Sequence, residues 1–261
     1  MSLLSSVTAA SALVVGATQG IGLEFVRQLL QGASDGKYPS IAHLFATYRK
    51  EDTAADLFAL AAQHSNLHCI KMDLTEEDQI AEGIASISTI TPKLHIVVNC
   101  VGLLHNETQQ PEKAIRQLDS DKLINYFKVN SIGPALLAKH LLALLKHSEP
   151  SLLATISAKI GSIGDNRIGG WYGYRASKAA LNMFLKTAAI EYGRRSPNTT
   201  IVMLHPGTTD TQLSKPFQRG VPPEKLFSTE RTVSQLLDVL STVTAEDSGE
   251  FFSWDGSRLP W

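Results

Sequence analysis

The amino-acid sequence predicts an α/β fold in which a doubly wound parallel sheet forms a single domain over residues 1–261. Three observations support this prediction. Short apolar segments alternate with segments of helical periodicity along the whole chain. A glycine-rich turn follows the first apolar segment and opens the first periodic one. The motifs that carry chemistry each follow a strand-like segment, and in doubly wound sheets ligands bind at the carboxyl ends of the strands.

The first half of the chain contains three strand–helix pairs. Each strand is a short apolar run, and the helix after it repeats apolar residues at helical spacing, as Ile21, Phe25 and Leu29 do in the first helix. The second helix is rich in Ala and Leu, which favour helix. The pairs are predicted at residues 12–16 and 20–30, 41–48 and 52–63, and 68–72 and 76–86.

The second half of the chain continues the alternation without a repeat or a linker that would divide it. The remaining strands are predicted at residues 94–100, 152–156, 200–204 and 249–253, and the remaining helices at 119–145, 176–192 and 233–242. Residues 208–228 contain three prolines and a glycine and are predicted to be irregular. A loop of that length in a compact domain is usually a lid or a binding element.

Composition excludes several classes of partner. A net charge of -1 gives no reason to expect nucleic acid or an anionic membrane. No apolar stretch approaches the length of a membrane span, and the N-terminus lacks the basic region of a signal peptide. Cys69 and Cys100 are expected to be reduced thiols, and we expect no metal site. These features indicate a cytoplasmic protein.

Tyr174 and Lys178 are four residues apart at the start of a predicted helix, so they share one helix face. A nearby ammonium favours the phenolate and is expected to lower the pKa of the tyrosine. A tyrosine adjusted in this way can transfer protons near neutral pH. A solvated helix face is the alternative for the pair taken alone.

A glycine-rich turn between the first strand and the first helix predicts a Rossmann-type dinucleotide site. Glycines allow a tight turn and a close approach of the backbone to a pyrophosphate, and the helix N-terminus supplies amide donors. The spacing is G-x-x-x-G-x-G rather than the ordinary G-x-G-x-x-G. The turn reads Gly16-Ala17-Thr18-Gln19-Gly20-Ile21-Gly22.

The residue at the end of the second strand indicates which nicotinamide cofactor is bound. NAD-binding folds carry Asp or Glu there for the ribose hydroxyl, whereas an arginine accommodates the 2′-phosphate of NADP. Here Arg49 and Lys50 follow the strand, and Arg49 presents a planar fork of donors to a phosphate. We therefore favour NADP(H). Two unspecific loop charges are the alternative.

Together these residues resemble the short-chain dehydrogenase/reductase family, in its single-domain branch, over nearly the whole chain. Within that family the chain is most similar to C-factor and sniffer-type carbonyl reductases. The motifs that carry the resemblance occur in the expected order: the glycine turn, Asp73-Leu74, Asn99-Cys100-Val101-Gly102, Asn130, Gly161 to Asn166, Gly169 to Tyr174, Lys178, Pro206-Gly207, Thr211 and Trp254-Asp255-Gly256.

The resemblance implies a role for each matching residue. In reduction of a ketone or aldehyde, Tyr174 would donate the proton, Lys178 would bind the nicotinamide ribose, and Asn130 would hold a water on the proton path. The residues implied to bind NADP(H) are Gly16, Thr18, Gln19, Gly20, Ile21, Gly22, Arg49, Asp73, Leu74, Asn99, Val101, Tyr174, Lys178, Pro206, Gly207, Thr209 and Thr211.

The chain departs from the family pattern in three places. Val15 stands where the family usually has Thr before the glycine turn, and Cys100-Val101 replaces Asn-Ala. The family places a catalytic serine three residues before the glycine that corresponds to Gly161, and here that residue is Ala158. Its neighbour Ser157, or Ser162, could instead supply a hydroxyl to the substrate oxygen; otherwise Tyr174 remains as the donor.

The sequence therefore favours an NADPH-dependent carbonyl reductase that acts on a small-molecule carbonyl substrate. Ala158 keeps a second function open, an NADP(H)-binding sensor or C-factor-like signalling protein with weak or no catalysis. A structural module that binds no cofactor is a third. The predicted helix at residues 176–192 is apolar around much of its circumference, which indicates a homodimer or homotetramer. Burial by the chain's own segments is the alternative.

Overall fold

Seven strands form one sheet in which every neighbouring pair is parallel. The computed structural model describes residue 4 and residues 6–32 and 38–261. The order across the sheet is β3-β2-β1-β4-β5-β6-β9, and β7 pairs with β8 separately. The strands are β1 (Ala9–Val15), β2 (Ser40–Tyr48), β3 (Leu67–Lys71), β4 (Ile96–Asn99), β5 (Ser151–Ile156), β6 (Thr199–His205), β7 (Thr208–Thr209), β8 (Leu226–Phe227) and β9 (Glu250–Ser253).

Helices cover both faces of the sheet. Side chains of α1, α2 and α7 pack on one face, and those of α3, α5 and α6 pack on the other. The helices are α1 (Gly20–Gln31), α2 (Ala55–Ala61), α3 (Glu77–Ser88), α4 (Ser120–Phe127), α5 (Gly133–Leu145), α6 (Tyr172–Arg195) and α7 (Thr229–Thr242). The predicted Rossmann-type doubly wound sheet is confirmed.

The apolar strands are explained by burial on both faces. In β1, Leu13 and Val15 belong to the core on the α3–α5–α6 side, whereas Ala12 and Val14 belong to the core on the α1–α2–α7 side. All four are fully buried. Because successive strand residues point to opposite faces, a strand buried on both faces must be continuously apolar.

The predicted helix at residues 119–145 is interrupted by a wider turn. It comprises α4, a π-helical turn over Lys128–Ile132, and α5. Pro134 has no amide hydrogen to donate to the Asn130 carbonyl four residues earlier, and the Gly133 amide donates to the Lys128 carbonyl five residues earlier. Such π turns are often found at functional sites, and this one carries Asn130.

Two other segments differ from the prediction. The helix expected at residues 52–63 is shorter, because Glu51–Thr53 form a 3-10 turn before α2. Residues 208–228, predicted to be irregular, contain β7, β8 and the 3-10 helices Lys215–Gly220 and Pro223–Lys225. Within the described part of the chain, no helix combines the length and apolar character needed to cross a membrane.

Candidate active site

The predicted site residues lie at or beyond the carboxyl ends of β1 to β6, which are neighbours in the sheet in the order β3-β2-β1-β4-β5-β6. The chain extends from β1 toward β2 and β3 on one side and continues through β4 on the other. The strand order therefore reverses between β1 and β4. In a doubly wound sheet, this reversal creates the crevice in which ligands bind.

The glycine turn after β1 is shaped for a phosphate. Gly16 and Gly20 have positive φ angles of 80° and 54°, and a Cβ atom at Gly22 would lie 2.0 Å from the Gly16 carbonyl oxygen. The Gln19 side chain forms no capping hydrogen bond at the start of α1. The first amides of α1 are thus available to an anion, as in other helix N-terminal phosphate sites.

Thr47 of β2 fixes the glycine turn to the sheet. Its hydroxyl oxygen accepts a hydrogen bond from the Gly16 amide at 2.9 Å, and its carbonyl accepts one from the Ala17 amide at 3.0 Å. Thr47 is buried. Thr47 therefore places a hydroxyl next to the glycine turn. Val15, the residue before that turn, has no hydroxyl. Half-buried Thr18 and Ile21 lie in the same turn.

A cavity of about 310 Å³ lies beyond the glycine turn, at the ends of β2 and β3. Its lining comprises Arg49, Lys50, Lys71, Asp73 and Gln79. Lys71 reaches the cavity because the parallel register of β2 and β3 pairs Tyr48 with Lys71. The cavity thus holds three cationic side chains, a composition suited to a phosphate ester.

Asp73 and Leu74 are held by contacts within the protein. The Asp73 carboxylate accepts hydrogen bonds from the Thr75 amide at 2.9 Å and the Thr75 hydroxyl at 2.8 Å. Leu74 is buried, and a Cβ atom at Gly133 would lie 2.6 Å from its carbonyl oxygen. Asp73 forms part of the cavity wall, whereas Leu74 packs against the start of α5.

Asn99 ends β4 with one half of its amide unpaired. It is fully buried, and its side-chain oxygen accepts a hydrogen bond from the Val101 amide at 3.1 Å. Among the residues that the structure describes, its Nδ2 atom has no partner. A buried donor without a partner is costly and points to a missing acceptor. Val101 approaches the turn, since its Cγ2 atom would lie 2.8 Å from a Cβ atom at Gly16.

Tyr174 and Lys178 lie together in the first turns of α6. Both side chains are buried, and the Lys178 ammonium lies 5.9 Å from the centre of the Tyr174 ring. Lys178 Nζ donates a hydrogen bond to the Ile156 carbonyl at 3.0 Å. Within the described residues, no protein group hydrogen-bonds to the Tyr174 hydroxyl. That hydroxyl is available to a substrate.

Asn130 connects α6 with the loop after β4. Its side-chain oxygen accepts a hydrogen bond from the Leu103 amide at 2.7 Å, and its Nδ2 atom donates to the Leu103 carbonyl at 2.8 Å and to the Ser177 hydroxyl at 3.0 Å. Ser177 in turn donates to the Tyr174 carbonyl at 2.9 Å. Asn130 is therefore joined to the Tyr174 turn through Ser177.

Burial controls the ionisation of this pair. It raises the pKa of the Tyr174 phenol, and the nearby Tyr126 phenol adds to that effect. It lowers the pKa of Lys178 to about 8. The expectation that Lys178 lowers the pKa of Tyr174 is therefore not met, because the cost of burying the phenolate is the larger effect. Tyr174 remains protonated at neutral pH.

The end of β5 places an alanine, not a serine, beside Tyr174. Ala158 packs in the same small apolar cluster as Tyr174 and Trp171. The Ser157 hydroxyl donates to Asn182 Oδ1 at 2.7 Å, and both residues are buried. Ser162 is buried and accepts a hydrogen bond from the Asp165 amide. This geometry does not support Ser157 as the substrate-binding hydroxyl.

The segment after β6 closes against the glycine turn. Gly207 has a φ of 73°, and a Cβ atom there would meet the Phe227 ring at 2.7 Å. The Thr209 hydroxyl pairs with the Thr232 hydroxyl at 2.8 Å, so it faces α7. The Thr211 Cγ2 atom would lie 3.2 Å from a Cβ atom at Gly20. This segment, which starts at Pro206, places Thr211 next to the glycine turn.

An aromatic wall, formed by Trp171, Phe217 and His105, borders the Tyr174 ring. The Trp171 ring meets the Tyr174 ring edge to face, with centroids 6.3 Å apart, and meets the Phe217 ring at 4.8 Å. The His105 ring also contacts the Phe217 ring edge to face, with centroids 5.6 Å apart. Leu103 and Leu213 belong to the same apolar cluster. The surface next to Tyr174 is therefore mostly apolar and aromatic.

The residues present fit a dinucleotide phosphate. The glycines of the turn lack side-chain atoms where a pyrophosphate would approach, and the unpaired Asn99 amide ends β4, the strand next to β1. The cationic cavity at Arg49 and Lys71 fits a further phosphate. In the parts of the chain that the structure describes, no three His, Cys, Asp or Glu side chains are grouped to hold a metal ion.

A family profile described as short chain dehydrogenase matches residues 10–221. The chain belongs to the short-chain dehydrogenase family. The match covers the glycine turn, Asn130, Tyr174 and Lys178 together, and the family predicted from the sequence motifs is confirmed. The sheet order and the helices on both faces agree with this assignment.

Similar proteins in this family include carbonyl reductases. The NADPH-bound carbonyl reductase from chicken fatty liver has 29% sequence identity and a TM-score of 0.85, over 98% of this chain and 100% of that chain. The carbonyl reductase Sniffer of Drosophila melanogaster has 28% identity and a TM-score of 0.84, over 97% and 100%. The C-signal protein of Myxococcus xanthus is 30% identical over 148 residues, which cover 57% of this chain and 84% of that protein. The chain is a short-chain dehydrogenase of the carbonyl reductase and C-factor type.

Sequence reasoning missed several residues of this short-chain dehydrogenase site. Thr47 lies in an otherwise apolar strand and was not predicted as a site residue. Its position near the end of the strand next to β1 could have indicated that role. Lys71 enters the cavity only through the β2–β3 register. Ser177 lies between Tyr174 and Lys178 in the sequence, and its link to Asn130 depends on the π turn.

Proposed function

We propose that this protein catalyses the NADPH-dependent reduction of a ketone or aldehyde to an alcohol. The observation that carries the proposal is the hydroxyl of the buried residue Tyr174, which has no hydrogen-bond partner among the described residues; the Tyr174 ring lies beside Lys178 and the Trp171 ring. The similarity to carbonyl reductases, one of them bound to NADPH, supports the same conclusion.

The binding roles follow from the side chains available. The glycine turn and the start of α1 would hold the pyrophosphate of NADP(H), the Asn99 amide would bind a ribose oxygen, and Arg49 with Lys50 and Lys71 would bind the 2′-phosphate. Lys178 would donate to the nicotinamide ribose. When bound, NADPH supplies a hydride to the carbonyl carbon.

Tyr174 would supply the proton that completes the reduction. As the carbonyl carbon gains a hydride, charge develops on the carbonyl oxygen, and the phenol hydrogen bond to that oxygen strengthens. Transfer of the proton forms the alcohol O–H bond and leaves a phenolate. The Lys178 ammonium would lie near that phenolate, since it is 5.9 Å from the centre of the Tyr174 ring. Asn130 is joined through Ser177 to the turn that carries both residues. A water held near Asn130 would return the proton.

The direct test is the oxidation of NADPH in the presence of aldehydes and ketones, from propanal to a biphenyl carbaldehyde. We expect turnover with NADPH, with higher kcat/KM than with NADH, and one alcohol formed for each NADPH consumed. Binding of NADPH without turnover of any carbonyl compound would contradict the proposal.

Reversing the charge of Arg49 is expected to weaken NADPH binding about 10- to 100-fold in an Arg49→Glu variant, because charge-assisted hydrogen bonds to the 2′-phosphate are lost. NADH affinity should change little or improve. Both affinities are measured by titration calorimetry. The matched control is Arg194→Glu, an exposed charge reversal near the end of α6, at the opposite edge of the sheet. Equal weakening of NADPH and NADH would refute the assignment of Arg49 to the 2′-phosphate.

The pH dependence should report Lys178. Its pKa is lowered to about 8 by burial, so the ammonium is present below that pH and is lost above it. We expect kcat/KM for NADPH, which reflects ionisations of the free enzyme, to fall as the pH rises through about 8. Tyr174 stays protonated over this range because its pKa is raised. Lys178→Arg should lose the inflection, whatever its absolute activity, and an unchanged inflection would exclude Lys178 as its origin.

The alternative function, an NADP(H)-binding sensor or C-factor-like signalling protein without catalysis, is not favoured. Ala158 removes one donor, but the Tyr174, Lys178 and Asn130 cluster retains a proton donor and its supports.

We also propose that the protein is cytoplasmic. We propose that it forms a homodimer or homotetramer, because α6 exposes Met183, Phe184 and Ile190. Such apolar exposure often marks a contact surface.

A further inference from the structure

The segment that leads into α6 has an unusual backbone. Gly169, Gly170 and Trp171 have consecutive positive φ angles of 70°, 68° and 52°. Glycine adopts this region readily, but a bulky aromatic residue seldom does. Within the described residues, Trp171 is the one residue other than glycine with a positive φ. Such a conformation persists only where surrounding contacts enforce it.

Arg175 provides one set of these contacts. Its guanidinium donates to three carbonyl oxygens: Gly170 at 2.9 Å through Nε, Ile160 at 3.1 Å through Nη1, and Gly169 at 3.1 Å through Nη2. The fork thus joins two of the left-handed residues to the turn after β5. A lysine has one ammonium group and cannot reproduce this planar arrangement.

Glu112 provides the other set from a different part of the chain. Its carbonyl accepts a hydrogen bond from the Trp171 amide, and its carboxylate accepts one from the Gly173 amide at 3.1 Å. Glu112 is buried, and its Oε1 atom has no partner among the described residues. A Cβ atom at Gly173 would lie 2.4 Å from the Tyr126 ring, so glycine is needed there for this close approach.

The two sets of contacts converge on the Trp171 ring. Its backbone is held on one side by Glu112, and the carbonyl of the preceding Gly170 is held by Arg175. The ring then lies between Tyr174 and Phe217. A change in φ at Trp171 would change the direction of its Cα–Cβ bond relative to the preceding residues. The ring would then leave its position between Tyr174 and Phe217.

We infer that Arg175 and Glu112 are positioning residues that hold Gly169–Trp171 in the left-handed conformation and thereby fix the Trp171 ring as a wall for apolar or aromatic substrates. The inference rests on the proposed function and specifies the substrate class of the same site. Bulky aromatic carbonyl compounds pack against this wall, whereas small aliphatic ones do not reach it. Arg175 and Glu112 therefore set substrate preference without touching the reacting atoms.

The test compares KM values for a biphenyl carbaldehyde and for propanal with NADPH at saturation. In Arg175→Lys, the KM for the biphenyl carbaldehyde divided by the KM for propanal should rise about 3- to 10-fold. This factor corresponds to the free energy that one aromatic contact contributes. The matched control is Arg167→Lys, an exposed arginine of the same loop whose one hydrogen bond is to the Asn166 carbonyl at 3.4 Å. A ratio that changes no more in Arg175→Lys than in Arg167→Lys would overturn the inference.

A double-mutant cycle separates positioning from a general structural role. If Arg175 acts through the Trp171 ring, Arg175→Lys should not change the KM ratio further in a Trp171→Ala background. Additive effects would show that Arg175 acts elsewhere. Glu112→Ala should raise the ratio in the same way, and Glu112→Gln, which keeps an acceptor for the Gly173 amide, should restore it. These Glu112 variants decide the matter if Arg175→Lys does not fold.

A binding measurement keeps this inference distinct from the proposed function. Absence of turnover of every carbonyl compound tested with the unaltered protein would refute the proposed reductase activity. The wall would then be tested by calorimetric binding of biphenyl methanol to the NADPH complex, which cannot oxidise an alcohol. We expect weaker binding in Arg175→Lys than in Arg167→Lys. Equal affinities, or no binding to the unaltered protein, would overturn the inference.

Discussion

Replacing Tyr174 with Phe is expected to lower kcat for carbonyl reduction about 10²- to 10⁴-fold, the usual contribution of a general acid. The hydroxyl of Tyr174 has no protein partner among the described residues, so its removal leaves no unpaired group in the protein. Phe retains the ring contacts with Trp171 and Tyr126. The loss should therefore appear in kcat, measured as NADPH oxidation at saturating aldehyde.

Tyr172 provides the matched control for this substitution. It is two residues earlier in α6 and 37% exposed, so Tyr172→Phe removes a hydroxyl from the same helix turn without entering the buried cluster. Both variants should bind NADPH as the unaltered protein does and keep its melting temperature. Retention of activity in Tyr174→Phe, or its loss in Tyr172→Phe alone, would remove Tyr174 from the proton-donor role.

The sheet could be predicted because its signal is local. The central strands β1, β4, β5 and β6 are buried on both faces and must be largely apolar, as the alternating assignment of Leu13 and Val14 to opposite cores illustrates. Each helix needs one apolar stripe. The π turn at Asn130 was not predictable from periodicity, since Pro134 at the start of a helix is also compatible with an ordinary helix break.

The site could be predicted only where one segment carries the chemistry. Three such segments could be predicted from the sequence, because each is local by itself: Gly16 to Gly22, Arg49 and the Tyr174–Lys178 turn. Lys71 and Glu112 reach their partners through strand register and loop packing, which no local pattern encodes.

The predicted direction of the Tyr174 pKa shift was wrong for the same reason. The neighbouring charge is visible in the sequence, whereas the larger effect of burial depends on tertiary packing.

Replacing Ala158 with Ser is expected to raise kcat for the proposed carbonyl reduction. Ala158 belongs to the same apolar cluster as Tyr174 and Trp171, so we expect a hydroxyl at this position to reach the carbonyl oxygen that Tyr174 is proposed to protonate. A hydrogen-bond donor aimed at a developing oxyanion contributes about 10²- to 10³-fold in other enzymes. We expect at least about a 10-fold gain in Ala158→Ser, because the surrounding turn was not shaped for the new hydroxyl. The measurement is kcat for propanal at saturating NADPH.

Ser157 supplies the decisive comparison. Its hydroxyl is directed at Asn182 inside the protein, so Ser157→Ala should lower the melting temperature while leaving kcat nearly unchanged. The opposite pattern, a large loss of kcat in Ser157→Ala and no gain in Ala158→Ser, would identify Ser157 as the substrate donor. In a Tyr174→Phe background the gain from Ala158→Ser should shrink, because the two hydroxyls would act on one oxygen. An undiminished gain in that background would mean that the added serine acts on something other than the proton transfer proposed for Tyr174.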